Sequence, residues 1–402
     1  MEINQGHLTY CTNIHPGETW EEVFESLKKY TLAVKSKVSS SKPFGIGLRL
    51  SAKSAFVLLQ DNHLQEFKQW LEANQLYVYT MNGFPYGDFH NVAIKDQVHV
   101  PDWTTEDRIV YTQNLIKILA YLLPNKIDGG ISTSPLSYKY WFDSTDEKQK
   151  VTRITCESIA KIALDLIDIK QATGKNIHLD IEPEPDGFLE NTQEVVSFYE
   201  DYLLQTGANF VAEHKGCSLE KAKEHLLNHI QVCYDVCHFA LAYESPEHVI
   251  STFLSKNIQI GKIQISSAIK CQKSEKVSIQ TQQECLQQFD EPTYLHQSIV
   301  QLQNHSLVHF SDLSQGIALM SSPDFKEIRT HFHVPIFTTD FNVVQSTQDE
   351  IVKALELWKQ IKYTHHLEIE TYTWGVLPND LQTDMTSSIV RELNWVIDQL
   401  KE

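Results

Sequence analysis

Short runs rich in β-branched or aromatic residues, each ending in small, polar or Pro residues, recur along the chain: His7–Thr12, Phe44–Leu50, Leu76–Met81, Gly129–Thr133, Ile177–Ile181, Gln231–Val236, Gly261–Ser266, His331–Phe337 and His366–Tyr372. Between most of them lie amphipathic segments of helical period, at Trp20–Lys35, Asn62–Asn74, Glu106–Leu122, Lys150–Thr173, Thr192–Gln205, Ser218–Leu227, Ser245–Lys256 and Gln348–Lys362. The first seven strands start 30 to 54 residues apart, the spacing of successive βα units with moderate insertions. Such a succession favours a parallel sheet, and eight units close it into a barrel. The pattern therefore predicts an α/β protein, a single (β/α)8 TIM barrel over residues 1–402. Nine candidates for eight places leave one over. His331–Phe337 is the extra strand, inside an insertion at 268–345 between the seventh and eighth barrel strands. A doubly wound open sheet is the alternative, but no G-x-G-x-x-G follows the first strand and no G-x-x-x-x-G-K-[ST] occurs.

Composition narrows the partners. Apolar residues make up 42% of the 402 and charged residues 21%, so the chain can bury a large core. The formal net charge of −18 repels phosphate backbones and anionic lipid surfaces, which argues against nucleic acid as a partner. Seven scattered cysteines do not suggest a disulfide framework and fit a reducing, cytoplasmic setting. The segment after Met1 has neither a basic nor an apolar leader region, and the apolar run Ile118–Leu123 falls well short of the ~20 residues of a membrane span, so no direct membrane insertion is expected.

In a parallel barrel the active site lies at the C-terminal ends of the strands. Carboxylates occur there three times. The fifth strand ends His178-Leu179-Asp180-Ile181-Glu182-Pro183-Glu184, the sixth Cys233-Tyr234-Asp235-Val236-Cys237-His238, and the last Glu368-Ile369-Glu370. A carboxylate among aliphatic strand residues needs a cation, an Arg or a set of donors. Three such ends in one barrel, with an Asp-x-x-His among them, converge on one mouth and suggest a divalent metal: Mn, Zn or Mg.

The pattern of Glu182, Asp235 with His238, Lys262-Ile263-Gln264-Ile265-Ser266 and Glu370 resembles the xylose-isomerase-like barrels, which include sugar isomerases, sugar epimerases and an apurinic endonuclease branch. In them a Glu, an Asp, a His and a Glu from four late strands commonly hold one or more divalent metals. The blocks His7–Glu18, Met81–Gly87, Ile131–Thr133, His331–Phe337 and Glu368–Trp374 are further similar to the EboE group of that superfamily, named metabolite traffic proteins. The resemblance implies a xylose-isomerase-like barrel, a small-molecule metabolite and possible protein partners from the same pathway cluster. Here Gln264 stands where the family usually has a ligand His, and it offers one neutral oxygen but no imidazole. His331 or His333 could substitute; equally, both could be mouth histidines bonded to carboxylates.

The candidate metal ligands are thus Glu182, Asp235, Gln264, Glu370, His238, His331 and His333, with Glu182, Glu370 and His238 as catalytic groups. On the fifth strand Pro183 leaves Glu182 as the last regular position, and on the eighth Glu370 lies nearer the mouth than Glu368. Arg49 could bind a substrate anion or only balance charge, and His15, Tyr10, Glu184 and Trp374 complete the candidate substrate contacts. Cys233 and Cys237 read as small barrel-interior residues. The sequence favours a metal-dependent isomerase or epimerase of a sugar or cyclitol. A non-catalytic metabolite carrier on the same barrel and a metal-dependent phosphoester hydrolase are the alternatives.

Overall fold

The computed structural model describes residues 1–87, 95–290, 295–375 and 384–401. Eight parallel strands form the barrel: β1 (Gly6–Tyr10), β2 (Phe44–Arg49), β3 (Leu76–Asn82), β4 (Gly129–Thr133), β5 (Ile177–Ile181), β6 (Ile230–Asp235), β7 (Ile260–Ile265) and β8 (His366–Ile369). They pair in the order β1-β8-β7-β6-β5-β4-β3-β2, and Glu2–Ile3 adds an antiparallel edge to β1. β2 through β7 are buried on both faces, as a sheet wrapped in helices requires.

The seam between β1 and β2 carries one parallel bridge, Cys11 to Gly47. Side chains complete it: Thr9 Oγ1 donates to Gly45 O at 2.7 Å, and Arg49 N donates to Thr12 Oγ1 at 2.9 Å. Gly47 is required here because the interior is full. A Cβ on it would lie 1.8 Å from Glu368 Oε1 and 2.8 Å from the Tyr10 carbonyl oxygen. Gly47→Ala should therefore destabilise the protein by about 1–3 kcal/mol, read as a lower midpoint in urea or heat; an unchanged midpoint would show that the seam has slack.

The helices begin and end where local chemistry says they should. Thr19 and Ser144 build capping boxes with Glu22 and Glu147, and Gly174, at φ 74°, ends the helix Thr145–Thr173. Helices at Ala52–Leu58, Val236–Leu241, Leu313–Leu319 and Met385–Gln399 escaped the sequence reading; the last packs on the helix Leu32–Val38 and on β1. Among the described residues no helix is long and apolar enough to cross a membrane.

Between β7 and β8 the chain makes a second, six-stranded antiparallel sheet in the order Leu307–Phe310, Ser298–Leu302, Phe325–Thr330, Ile269–Gln272, Val344–Ser346, Asp340–Phe341. The strand expected at His331–Phe337 is not one. The true strand ends at Thr330, and the segment beyond it holds single backbone bonds, His331 N to Gln297 O and Val334 N to Ser267 O, while Pro335 has no N–H to continue a ladder. Phe332, Val334 and Ile336 bury into the core, while His331 and His333 between and before them face the barrel mouth.

This segment is tied to the C-terminal helix through Glu392, whose Oε1 accepts from Thr371 Oγ1 at 2.8 Å and from Ile336 N at 3.3 Å. Burial pushes the Glu392 carboxyl up to about 8. A carboxyl whose folded pKa is raised favours the fold at low pH, and that contribution is lost as pH rises through the folded value. Glu392→Gln keeps the acceptor oxygen without the titration, so its stability relative to wild type should climb between about pH 5 and pH 9. Thermal unfolding across that range tests this; a constant difference would contradict it.

Candidate active site

The mouth is built from strand ends. Glu182 lies just past β5, its N–H donating to Thr133 O at 2.9 Å, and Asp235 closes β6 while capping the short helix Val236–Leu241. Asp235 Oδ1 accepts from His238 N at 3.1 Å and from Ser266 Oγ at 2.7 Å, leaving Oδ2 buried without a partner. Glu370, just past β8, has one carboxylate oxygen held by two amides, Asn13 Nδ2 and Asn82 Nδ2, each at 2.8 Å. Ligand atoms of Glu182, Asp235 and Glu370 lie within 4.8 Å of one another, as do those of Asp235, His238 and His333, and those of Cys237, His331 and His333. Asp235 and His333 each belong to two of these groups.

Hydrogen bonding fixes the three imidazoles. Nδ1 of His238 lies 2.8 Å from Pro183 O, Nδ1 of His333 lies 2.9 Å from Glu370 O, and Nδ1 of His331 lies 3.0 Å from Gln297 Oε1. Each acceptor is a carbonyl oxygen, so each Nδ1 carries the proton and each neutral ring presents the Nε2 lone pair. His333 Nε2 is buried without a partner, and the Nε2 atoms of His238 and His331 face each other at 3.2 Å. Two lone pairs at that distance repel unless a proton or a cation lies with them. Burial holds the His333 imidazole down to about 4 and, with His238 beside it, keeps His331 well below its ordinary range.

The carboxylates are short of positive charge. Burial, with Asp235 adding to it, pushes the carboxyls of Glu182 and Glu184 well above the usual range; burial and Glu182 do the same to Glu370. A buried cation that acts on Glu182 and Glu370 is already engaged: Lys262 Nζ donates to Glu368 Oε2 at 2.6 Å, one layer lower in the barrel. Asn13, Asn82, Phe84, Pro85, Val98, Glu182, Glu184, His238, His331, His333, Glu370 and Tyr372 line a cavity of about 50 Å³.

Other sequence candidates fall elsewhere. Gln264 pairs in register with Glu368, below the mouth, and its Oε1 accepts from Cys233 Sγ at 2.8 Å. Arg49 does not line the cavity; it forms a forked ion pair with Glu18, at 2.9 and 3.2 Å, and donates to the carbonyls of Gly17 and Gly87. Tyr10 and His15 bond to each other at 2.9 Å, outside the cavity wall, with Thr31 completing the Tyr10 hydroxyl. Trp374 is buried against Phe337. Glu184 alone of the substrate candidates lies on the cavity.

Three positioning residues were not anticipated. Asn13 and Asn82 fix Glu370, and Asn82 ends β3 with the parity that faces the mouth, a signal present in the sequence. Arg108, buried within an apolar helix face, donates to Gly83 O and Phe84 O at 2.9 Å each and so pins the rim.

No family model matches the chain, and no curated protein matches it by sequence. Among solved structures, a D-tagatose 3-epimerase-like protein aligns with a TM-score of 0.50 and 9% identity, covering 98% of this chain and 97% of that one. An IolI protein with a binding zinc atom (TM-score 0.47, 10% identity, 98% of each chain) also aligns. So does a xylose isomerase-like TIM-barrel protein from Mycobacterium smegmatis in complex with magnesium (TM-score 0.47, 12% identity, 95% of this chain and 89% of that one). At such identity the likeness concerns the fold alone: this chain folds as a TIM barrel of the same architecture as the D-tagatose 3-epimerase-like protein.

Proposed function

We propose that the mouth binds one or two divalent metal ions and that the protein is a metal-dependent isomerase or epimerase acting on a small sugar or cyclitol-like metabolite. The observation that carries this reading is the buried set of Glu182, Asp235 and Glu370, its ligand atoms within 4.8 Å of one another, while Lys262, the cation that acts on two of them, is already paired with Glu368. Carboxylates so placed cost several kcal/mol unless a cation joins them. Glu182, Asp235, Glu370 and His333 would hold the ion, with His238 and His331 beside them; His333 then supplies the imidazole that β7, with Gln264, lacks. Borderline ions such as Mn or Zn suit that mixture of oxygen and nitrogen donors. When bound, such an ion polarises adjacent carbonyl and hydroxyl oxygens and makes the neighbouring C–H more acidic.

The protein's own groups then divide the work. Asn13 and Asn82 hold Glu370 in one orientation, and the Pro183 carbonyl fixes the His238 tautomer. Glu182 and Glu370 are the groups proposed to take the proton on one face and return it on the other. The cavity is far smaller than the roughly 300 Å³ or more of a pocket for a drug-sized ligand, so a sugar enters only if the rim of Phe84, Pro85 and Val98 gives way. The EboE-like sequence blocks are what support placing the substrate in a metabolite traffic pathway.

The test is deuterium exchange. Metal-loaded protein incubated in D2O with a panel of ketoses and inososes should incorporate deuterium next to a carbonyl, and Glu182→Gln should abolish this. Absence of exchange across the panel, with an unchanged metabolite co-purifying, would favour a carrier instead.

A further inference from the structure

The opposite end of the barrel holds a second cluster of ligand type. Asp128 precedes β4, His178 is the second residue of β5 and His366 the first of β8, and one ligand atom from each lies within 4.8 Å of the others. His178 Nε2 is 3.8 Å from Asp128 Oδ2, and His366 Nε2 is 3.4 Å from Asp128 Oδ1. His366 is four residues before Glu370, which puts this cluster roughly 13 Å below the mouth at ~3.3 Å per strand residue.

Three observations make it more than a chance meeting. Asp180 Oδ1 accepts from His178 Nδ1 at 2.6 Å, so the proton of a neutral ring sits on Nδ1 and the Nε2 lone pair points at Asp128. A carboxylate behind an imidazole in this way is the usual support of a metal-bound histidine. His366 is wholly buried, its Nδ1 has no hydrogen-bond partner, and its Nε2 faces only Asp128 Oδ1, at a long 3.4 Å. Two glycines also make room for these side chains: a Cβ on Gly130 would lie 2.6 Å from Asp180 Oδ2 and 3.0 Å from His366 Nδ1, and one on Gly261 would lie 1.9 Å from Asp180 Oδ1.

We propose that Asp128, His178 and His366 form a separate metal site at the N-terminal end of the barrel, taking Zn²⁺ or a similar borderline ion. Two imidazoles and one carboxylate favour zinc over magnesium, and the partly exposed Asp128, at 36%, leaves a solvent side for water to complete the coordination. β5 and β8 are not neighbours in the sheet, so the ion would tie strands across the barrel interior and act as a structural pin.

Full-length protein stripped with chelator and dialysed against zinc should carry one equivalent fewer in Asp128→Asn and in His366→Gln than in wild type. Asp180→Asn, acting through His178, should weaken zinc binding about 10- to 100-fold. The double variant Glu182→Gln/Asp235→Asn should keep this equivalent, and zinc should raise its melting temperature until Asp128→Asn is added. Asp128 is at the surface and its Asn variant is isosteric, so this comparison stands even if the His366 variant fails to fold. Equal zinc content in wild type and Asp128→Asn would overturn the proposal, as would a His178 ring that keeps both N–H protons in NMR after zinc is added, the mark of an imidazolium between two aspartates. If the mouth reading is the one that fails, the double variant loses no zinc while Asp128→Asn still does.

Discussion

Replacing Lys262 by Met is expected to cost about 3–5 kcal/mol of stability, the usual penalty for leaving a buried charge without its partner. Lys262 and Glu368 are both wholly buried, and Nζ donates to Glu368 Oε2 at 2.6 Å, Ser132 Oγ at 3.2 Å and Met81 O at 3.3 Å. Burial works against the ammonium, yet Glu368 beside it holds its pKa above the ordinary lysine value. With the lysine gone, Glu368 sits against Gly47 with Oε1 already unpartnered and no donor for the other oxygen. The double variant Lys262→Met/Glu368→Gln should recover much of the loss, because a buried pair replaced as a unit costs far less than one broken. Urea unfolding of the two variants decides the matter. A double variant as unstable as the single one would mean that Lys262 acts through packing alone. The lysine also attracts Glu182 and Glu370 one layer above, so its loss should push their carboxyls further up.

Asp235→Asn should weaken divalent-metal binding at the mouth more than any other single change. Asp235 belongs to two of the three mouth groups, and its Oδ1 is spoken for by Ser266 and the His238 N–H, so Oδ2 is the oxygen aimed at the ion. An amide there presents either a neutral oxygen or an N–H where a negative oxygen is needed. Glu182→Gln and Glu370→Gln should each weaken binding by roughly ten-fold or more. Glu184→Gln and Glu368→Gln should alter substrate binding or stability more than metal content: Glu368 lies a layer lower with Lys262, and Glu184 lines the cavity outside the three groups. Calorimetric titration with Mn or Zn in the Asp128→Asn background confines the signal to the mouth. A larger loss from Glu184→Gln or Glu368→Gln would reverse the assignment.

The barrel was legible because its strands are buried on both faces and its helices on one, so each kind of element carries its own period in the sequence. Gly129–Thr133 and Ile177–Ile181 were readable to the residue. The second sheet was not, since its strands are short and partly exposed: Leu307–Phe310 is four residues long and none of them is fully buried. His331–Phe337 failed in the other direction, an alternating segment with no neighbouring strand to pair with. At the site, depth along a strand separated Glu370 from Glu368, because side-chain period and chain direction are local properties. Arg49 escaped local reasoning, since its partner Glu18 comes from the loop after β1 and no strand pattern announces that pairing. The tautomers of the three histidines were equally hidden; they depend on carbonyls of Pro183, Gln297 and Glu370 that only the folded chain brings near.

If the carboxylates and imidazoles at the mouth hold a divalent ion, that ion should be visible directly. Anomalous diffraction from crystals of zinc-loaded protein, collected on both sides of the metal edge, tests it most directly. The expected result is a peak among Glu182, Asp235, Glu370 and His333; a fully loaded crystal with no anomalous density between those four side chains would rule the mouth out as the metal site.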